Sequence, residues 1–149
     1  MASEFHTRYI HGAGLWNAGS YIQAGHPFIK GSSDIDNGAE DKITFPHVAR
    51  SVTVINRSSV DLRVHFVSAT ANAGYQGPDG AAPGGNPTVI SDYHYITLTE
   101  DRDSITFNVK CSEIYITSQG DNGAYEVFAE LTGVPAGDMY VLTGSGVTE

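Results

Sequence analysis

The stretch RSVTVINRSSVDLRVHF, residues 50–66, carries the clearest structural signal in the chain. Apolar and polar residues alternate on both sides of a central polar triplet, a pattern typical of two half-buried β-strands joined by a turn. We predict strands at residues 50–56 and 60–67, paired as a hairpin. Because alternate side chains of a strand point to opposite faces, Arg63 and His65 should lie opposite the apolar set.

Further short segments with the same alternation lie on both sides of this pair. They cover residues 42–45, 93–99, 104–109, 113–118 and 124–132, with weaker candidates at 20–23 and 139–143. For the last four of the stronger segments the residues expected to face inward are Ile96 and Leu98; Ile105, Phe107 and Val109; Ile114 and Ile116; and Tyr125, Val127, Ala129 and Leu131. The connectors are rich in Asp, Asn, Gly and Ser, which favour turns, and an acidic loop is expected at residues 32–41. No ten-residue window shows the spacing of an amphipathic helix, so we predict an all-β fold.

One long segment interrupts this series of strands. Residues 69–88 contain five glycines and three prolines, and such a run of breakers predicts an exposed loop. About eight antiparallel strands with one long Gly/Pro-rich loop fit a single jelly-roll sandwich best, and other sandwiches stay open as alternatives. We assign residues 1–18 to an N-terminal arm, 19–143 to the jelly-roll domain and 144–149 to a C-terminal tail.

The charge balance argues against several kinds of partner. Asp and Glu number 17 against 8 Lys and Arg, a net charge of −9 at pH 7. This field repels phosphates, so direct nucleic-acid binding is not expected. No segment approaches the roughly 20 apolar residues that cross a bilayer, so no transmembrane segment is expected. The single cysteine, Cys111, continues the alternation of a strand, which predicts a buried structural thiol.

Six histidines are the first candidates for metal binding or catalysis. A metal-binding cupin needs two histidines one residue apart, and no His-x-His occurs here. His65 and His94 fall on polar faces, so we expect them to face solvent or a partner. The acidic loop around Asp34 and Asp36 lacks the framework of an EF-hand, which leaves weak calcium binding as the alternative to a plain polar loop. No nucleophile elbow or phosphate loop is present, and we expect no enzyme and no cofactor.

Aromatic residues on polar faces suggest a second class of function. Carbohydrate-binding sandwiches present exposed aromatic platforms, and the candidates for such a role are Trp16, Tyr93, Tyr95, Tyr115 and Tyr140. Packing against a neighbouring protein explains the same residues equally well. A module that binds a glycan or a host receptor is therefore the alternative to a structural role.

Several short phrases of the sequence carry a resemblance to a known family. They are GSYIQAGHPF at 19–28, ITFP at 43–46, SVTVIN at 51–56 with LRVHF at 62–66, and MYVLTGSG at 139–146. Together they resemble the single jelly-roll structural proteins of large icosahedral double-stranded DNA viruses, including the penton proteins that close the five-fold vertices. The resemblance implies a homopentamer in the virion that contacts neighbouring capsid proteins, is assembled in the host cytoplasm and has no enzymatic activity.

Copies of so acidic a chain repel one another, and contacts between them must offset that repulsion. Arginines that pair with Asp61, Asp101 or Glu126 of a neighbour are the expected means, together with side chains on polar faces. The candidate interface residues are Trp16, Arg50, Arg57, Arg63, His65, Tyr95 and Arg102.

Overall fold

The computed structural model of the chain describes residues 25–68, 94–142 and 147. These residues form seven antiparallel strands and one short 3₁₀ turn at Ala136–Asp138. The strands are β1 (His26–Ile35), β2 (Glu40–Asn56), β3 (Leu62–His65), β4 (Ile96–Leu98), β5 (Ser104–Phe107), β6 (Cys111–Ser118) and β7 (Gly123–Pro135). The predicted all-β fold is confirmed.

The strands form one hydrogen-bonded path in the order β1-β7-β2-β6-β3-β4, and β5 also pairs with β2. β2 is 17 residues long and belongs to two layers. Residues 40–44 pair with β6, whereas residues 51–56 pair with β7 and, on the other side, residues 52–55 pair with β5. The first layer is therefore β1-β7-β2-β5 and the second layer is β2-β6-β3-β4. Two four-stranded layers connected in this way form a jelly roll, so the predicted sandwich of about eight strands is confirmed.

β2 passes between the layers at residues 45–50. Its register against β6 shifts between Thr44 and Ala49, and its register against β7 shifts on both sides of Ala49. Pro46 has no N–H to donate, so the ladder is interrupted where the strand bends. The prediction of two separate strands is corrected to one bent strand, because the proline interrupts pairing without ending the extended backbone.

The link from β2 to β3 is not the predicted hairpin. The last part of β2 pairs with β5 and β7, while β3 pairs with β4 and β6. Residues 57–61 therefore cross from the first layer to the second. Alternation identifies half-buried strands but does not show which layer each strand joins.

The acidic segment at residues 32–41 is mostly strand and not loop. β1 continues through Gly31 to Ile35, with a register shift after Ser32, and β2 begins at Glu40. Only residues 36–39 form the turn. The irregular pairing lets the acidic side chains point outward while Ile35 is buried. Because the sequence here departs from strict alternation, the alternation pattern did not predict this part of the strand.

The hydrophobic core lies between the two layers, and the predicted inward residues of β6 and β7 form much of it. Two aromatic pairs join the layers in edge-to-face contact: Phe28 with Phe45 at 5.1 Å and Phe66 with Phe107 at 5.2 Å between ring centroids. The fully buried side chains include Ile43, Phe45, Val52, Val54, Leu62, Val64, Ile114, Ile116, Tyr125 and Val127. Cys111 is also buried, as predicted.

Other predictions are corrected or fall outside the described residues. β4 is limited to three residues, and residues 139–142 form no strand. Two residues predicted to face inward are exposed: Val109, at 41%, because β5 ends at Phe107, and Ile96, at 44%, because it begins the edge strand β4. The N-terminal arm, Trp16, the weak strand at 20–23 and the loop at 69–88 lie outside the described residues, as does the C-terminal tail apart from residue 147.

Candidate interaction surfaces

The outer face of the first layer carries an exposed apolar pair. Ile29 of β1 lies directly opposite Phe128 of β7, and Phe128 in turn lies opposite Thr53 of β2. Ile29 is 77% exposed and Phe128 is 41% exposed. The neighbouring residues of β7 point into the core, so the strand alternation itself places Phe128 on the outer face.

Two ion pairs flank this apolar pair on the same face. Arg50 Nε lies 2.7 Å from Glu130 Oε2, and Arg57 Nε lies 3.7 Å from Glu126 Oε1. Each pair is solvent-exposed enough to contribute less than about 1 kcal/mol to the stability of the chain itself. The face thus has an apolar centre with a charge-balanced rim, which is the usual anatomy of a protein contact surface.

An open depression of about 400 Å³ adjoins the Arg57 end of this face. Its walls come from the irregular end of β1 and the start of β7, and they consist of Gly31, Ser32, Ser33, Arg57, Ala124, Tyr125 and Glu126. Sites for small molecules usually enclose most of their ligand. The open form of this depression is better suited to receiving a side chain that protrudes from a neighbouring protein.

The outer face of the second layer is different, because its polar side chains are buried. His65 is only 2% exposed, which contradicts the prediction that it faces solvent. Its Nδ1 lies 2.7 Å from the Val67 carbonyl oxygen and its Nε2 lies 2.7 Å from Thr117 Oγ1. Glu40 Oε2 lies 3.8 Å from Nε2, and burial lowers the pKa of His65 despite this carboxylate.

A second polar group lies next to this histidine. The Tyr115 ring stacks on the His65 ring, with 5.8 Å between centroids. The Tyr115 hydroxyl donates to Glu113 Oε1 at 2.6 Å, and Lys42 Nζ lies 2.7 Å from Glu113 Oε2. Burial, followed by the hydrogen bond to Glu113, raises the pKa of Tyr115 to about 12. The ring is 6% exposed, so it is not an exposed aromatic platform.

The structure distributes the predicted interface residues over three regions. Arg50 and Arg57 lie on the first layer, where their acidic partners belong to the same chain. On the second layer, Arg63 lies two residues before His65 in β3, and its guanidinium is 4.4 Å from the centre of the Tyr95 ring. Arg102 lies in the β4–β5 turn with a positive φ of 74°, and its Nε is 3.9 Å from Asp101 Oδ2.

Sequence reasoning missed the residues at the centre of the first-layer face. The alternation of β7 is a signal that could have found Phe128. The position of Ile29 beside it depends on pairing between strands that are about one hundred residues apart in the chain. No local pattern specifies that pairing.

Comparison of the chain with protein-family models, with curated proteins and with solved structures finds no match. Within the described residues, no three His, Cys, Asp or Glu side chains are grouped to hold a metal ion. None of the helical segments in those same residues is long and apolar enough to cross a membrane. The class that the geometry defines is an all-β protein with a single jelly-roll topology.

Proposed function

We propose that this protein is a structural subunit that works as one copy in a larger assembly. The exposed pair Ile29–Phe128, set in a charge-balanced rim, is the observation that carries the proposal. Exposure of such an apolar pair to water is unfavourable in a free monomer, and covering the pair with a partner lowers the free energy. The outer face of the first layer is the surface that meets a neighbouring copy.

The charges of the chain favour this face as the meeting point. Each copy carries a net charge of −9, so most surfaces of two copies repel one another. On the first-layer face the acids Glu126 and Glu130 are matched by Arg57 and Arg50. A locally neutral, partly apolar surface is where like-charged copies approach at the lowest electrostatic cost.

The strand edges within the described residues are poor alternatives for assembly. β4 and β5 contain only three and four residues, and the edge of β2 beside β6 covers only residues 40–44, which limits any ladder added to these edges. β1 carries Pro27, which has no N–H, and its pairing with β7 is irregular after Ser32. Short strands, prolines and bulges disfavour edge-to-edge pairing, so contacts between copies should use faces and loops.

The assembly we propose is a viral capsid, with this chain as the penton at the five-fold vertex. The support is the resemblance of the sequence phrases to single jelly-roll capsid proteins, together with the jelly-roll topology of the chain. In this proposal five copies form a closed ring through heterologous contacts, and the outer side of the ring meets neighbouring capsid proteins. The protein is then a virion component, assembled in the host cytoplasm, with no enzymatic role.

Imaging of purified particles tests this proposal. Density for the chain should occupy the five-fold vertices, with the Ile29–Phe128 face directed at an adjacent copy. Detection of the protein only in an unassembled pool, with other density at the vertices, would overturn it.

No structural observation in the described residues specifically favours the glycan- or receptor-binding role. Tyr115 is buried, and the half-buried Tyr95 has the Arg63 guanidinium over one face of its ring. Tyr140, at 57% exposure, is the most exposed tyrosine in the part of the chain that the structure describes. We therefore keep the structural role as the proposed function.

A further inference from the structure

The buried polar side chains on the outer face of the second layer are not used in the proposed assembly. Outer faces of sandwich sheets normally expose their polar residues to water. Here His65, Thr117 and the Glu40 side chain are 2%, 5% and 6% exposed. Burying a histidine beside a carboxylate is costly unless both are held by specific partners, so the arrangement calls for an explanation.

The hydrogen bonds around His65 define its protonation state. The Val67 carbonyl oxygen can only accept, so His65 Nδ1 carries a proton and donates it. In the neutral ring Nε2 then accepts from the Thr117 hydroxyl at 2.7 Å. Both ring nitrogens are therefore satisfied without a net charge. If Nε2 were also protonated, it would donate to the Thr117 oxygen, and the Thr117 hydroxyl could no longer donate its hydrogen to Nε2.

These contacts tie the chain that leaves β3 to two other strands. The Val67 carbonyl is bonded to His65, and the Ser68 hydroxyl donates to Glu40 Oε1 of β2 at 2.6 Å. Thr117 belongs to β6. We propose that His65, Glu40, Thr117 and Ser68 form a proton-sensitive latch, in which protonation of His65 releases residues 66–68 from the second layer.

The charged and titratable groups that face His65 in the described residues come from three strands. Glu40 of β2 favours the imidazolium, Arg63 of β3 disfavours it, and the Tyr115 ring of β6 stacks on it. Lys42 lies on Tyr115, 5.5 Å from the ring centre. Burial is the largest influence and lowers the pKa of His65 below that of a free imidazole, outweighing the hydrogen bond to the Val67 carbonyl, which favours the imidazolium.

The direction of the pH effect follows from that lowered pKa. A released His65 binds a proton near pH 6.5, whereas the latched His65 binds it only at lower pH. The latch is therefore most stable above about pH 6.5 and weakens as the pH falls through the interval below it. Below about pH 6.5, each decrease of one pH unit should increase the released population by up to about tenfold.

Amide hydrogen exchange measured by NMR on the full chain between about pH 7.5 and about pH 5 tests the latch. After correction for intrinsic exchange, the opening of residues 66–68 should increase up to about tenfold per pH unit below about pH 6.5. In His65→Asn, which retains a donor for the Val67 carbonyl but does not titrate, that increase should disappear. His26→Gln is the matched control, because His26 is exposed and should leave the increase unchanged.

Two results would overturn the proposal. One is an unchanged pH dependence of opening in His65→Asn. The other needs no variant: direct NMR titration of the His65 ring in the natural chain should give a pKa below the value of about 6.5 of a free imidazole, with the Nδ1–H form at neutral pH. A His65 ring that titrates at or above that value contradicts the latch.

Discussion

A single residue, Asn56, helps to join the two layers through its side-chain hydrogen bonds. Its side chain is fully buried at the end of β2, where the chain leaves the first layer. The Nδ2 group donates to the carbonyl oxygens of Val60 at 2.9 Å and Leu98 at 3.1 Å. The Oδ1 atom accepts from the backbone N–H and the hydroxyl of Ser58. One amide therefore supports both the crossing segment and the neighbouring strand β4.

Replacement of Asn56 by Asp tests this role. An aspartate cannot donate to Val60 and Leu98, and its negative charge would be buried beside their carbonyl oxygens. The free energy of unfolding should fall by about 2–4 kcal/mol, as measured by urea denaturation. Asn108→Asp is the matched control, because Asn108 is exposed and the same change there should cost less than about 0.5 kcal/mol. Equal effects of the two substitutions would contradict the account.

Cys111 gives a second prediction at this scale. The side chain is fully buried, and burial raises the pKa of its thiol to about 12 from an ordinary value of 9.0. The thiolate fraction in the folded protein should therefore be about a thousandfold lower than in the unfolded chain. A thiol-specific reagent should modify the protein in urea and leave it almost unmodified in native buffer. Rapid modification of the native protein would show that the β2–β6 junction opens.

At the element scale, β7 carries two glycines in contrasting surroundings. A Cβ atom added at Gly123 would lie 2.4 Å from Ser118 Oγ and 3.2 Å from Leu62 Cδ2, whereas one added at Gly133 meets nothing within 4 Å. Gly123 is thus required for the close approach of β7 to β6 and β3. Gly133 is a matched position in the same strand.

Alanine substitutions at these two positions should have different effects on thermal unfolding. Gly123→Ala should destabilise the protein by about 1–3 kcal/mol, because the added methyl group overpacks the junction. Gly133→Ala should be neutral or stabilise by up to about 1 kcal/mol through the unfolded chain. If both variants melt at the same temperature, the register of β7 described here is wrong.

Elements could be predicted from the sequence where neighbouring residues specify them, and could not where pairing with distant strands specifies them. Alternation in the sequence predicted β6 and β7 and their inward residues, because strand geometry alone sets which side chains share a face. It did not reveal that Pro46 lies within one bent strand or that residues 57–61 change layers, since those features depend on distant partners. His65 was placed on the correct face with the wrong exposure, because alternation does not show what covers that face.

At the scale of the whole molecule, topology, charge and exposed apolar surface favour the same face for contact with a partner. A jelly roll buries its core between two layers, and the described edge strands are short or carry features that discourage pairing. The first-layer face combines the exposed pair Ile29–Phe128 with balanced charge. In the proposed assembly, the overall charge of −9 disfavours contact elsewhere and favours this face.

The mass of the natural protein in solution, compared with that of Phe128→Glu, shows whether copies of the chain meet through the first-layer face. Val109→Glu is the matched control, because Val109 and Phe128 are each 41% exposed. We expect a pentamer of about 80 kDa, built from 15.9 kDa chains, for the natural protein and for Val109→Glu, and dissociation in Phe128→Glu. A natural chain that stays monomeric as its concentration rises, or an oligomer that Phe128→Glu leaves intact, would contradict it.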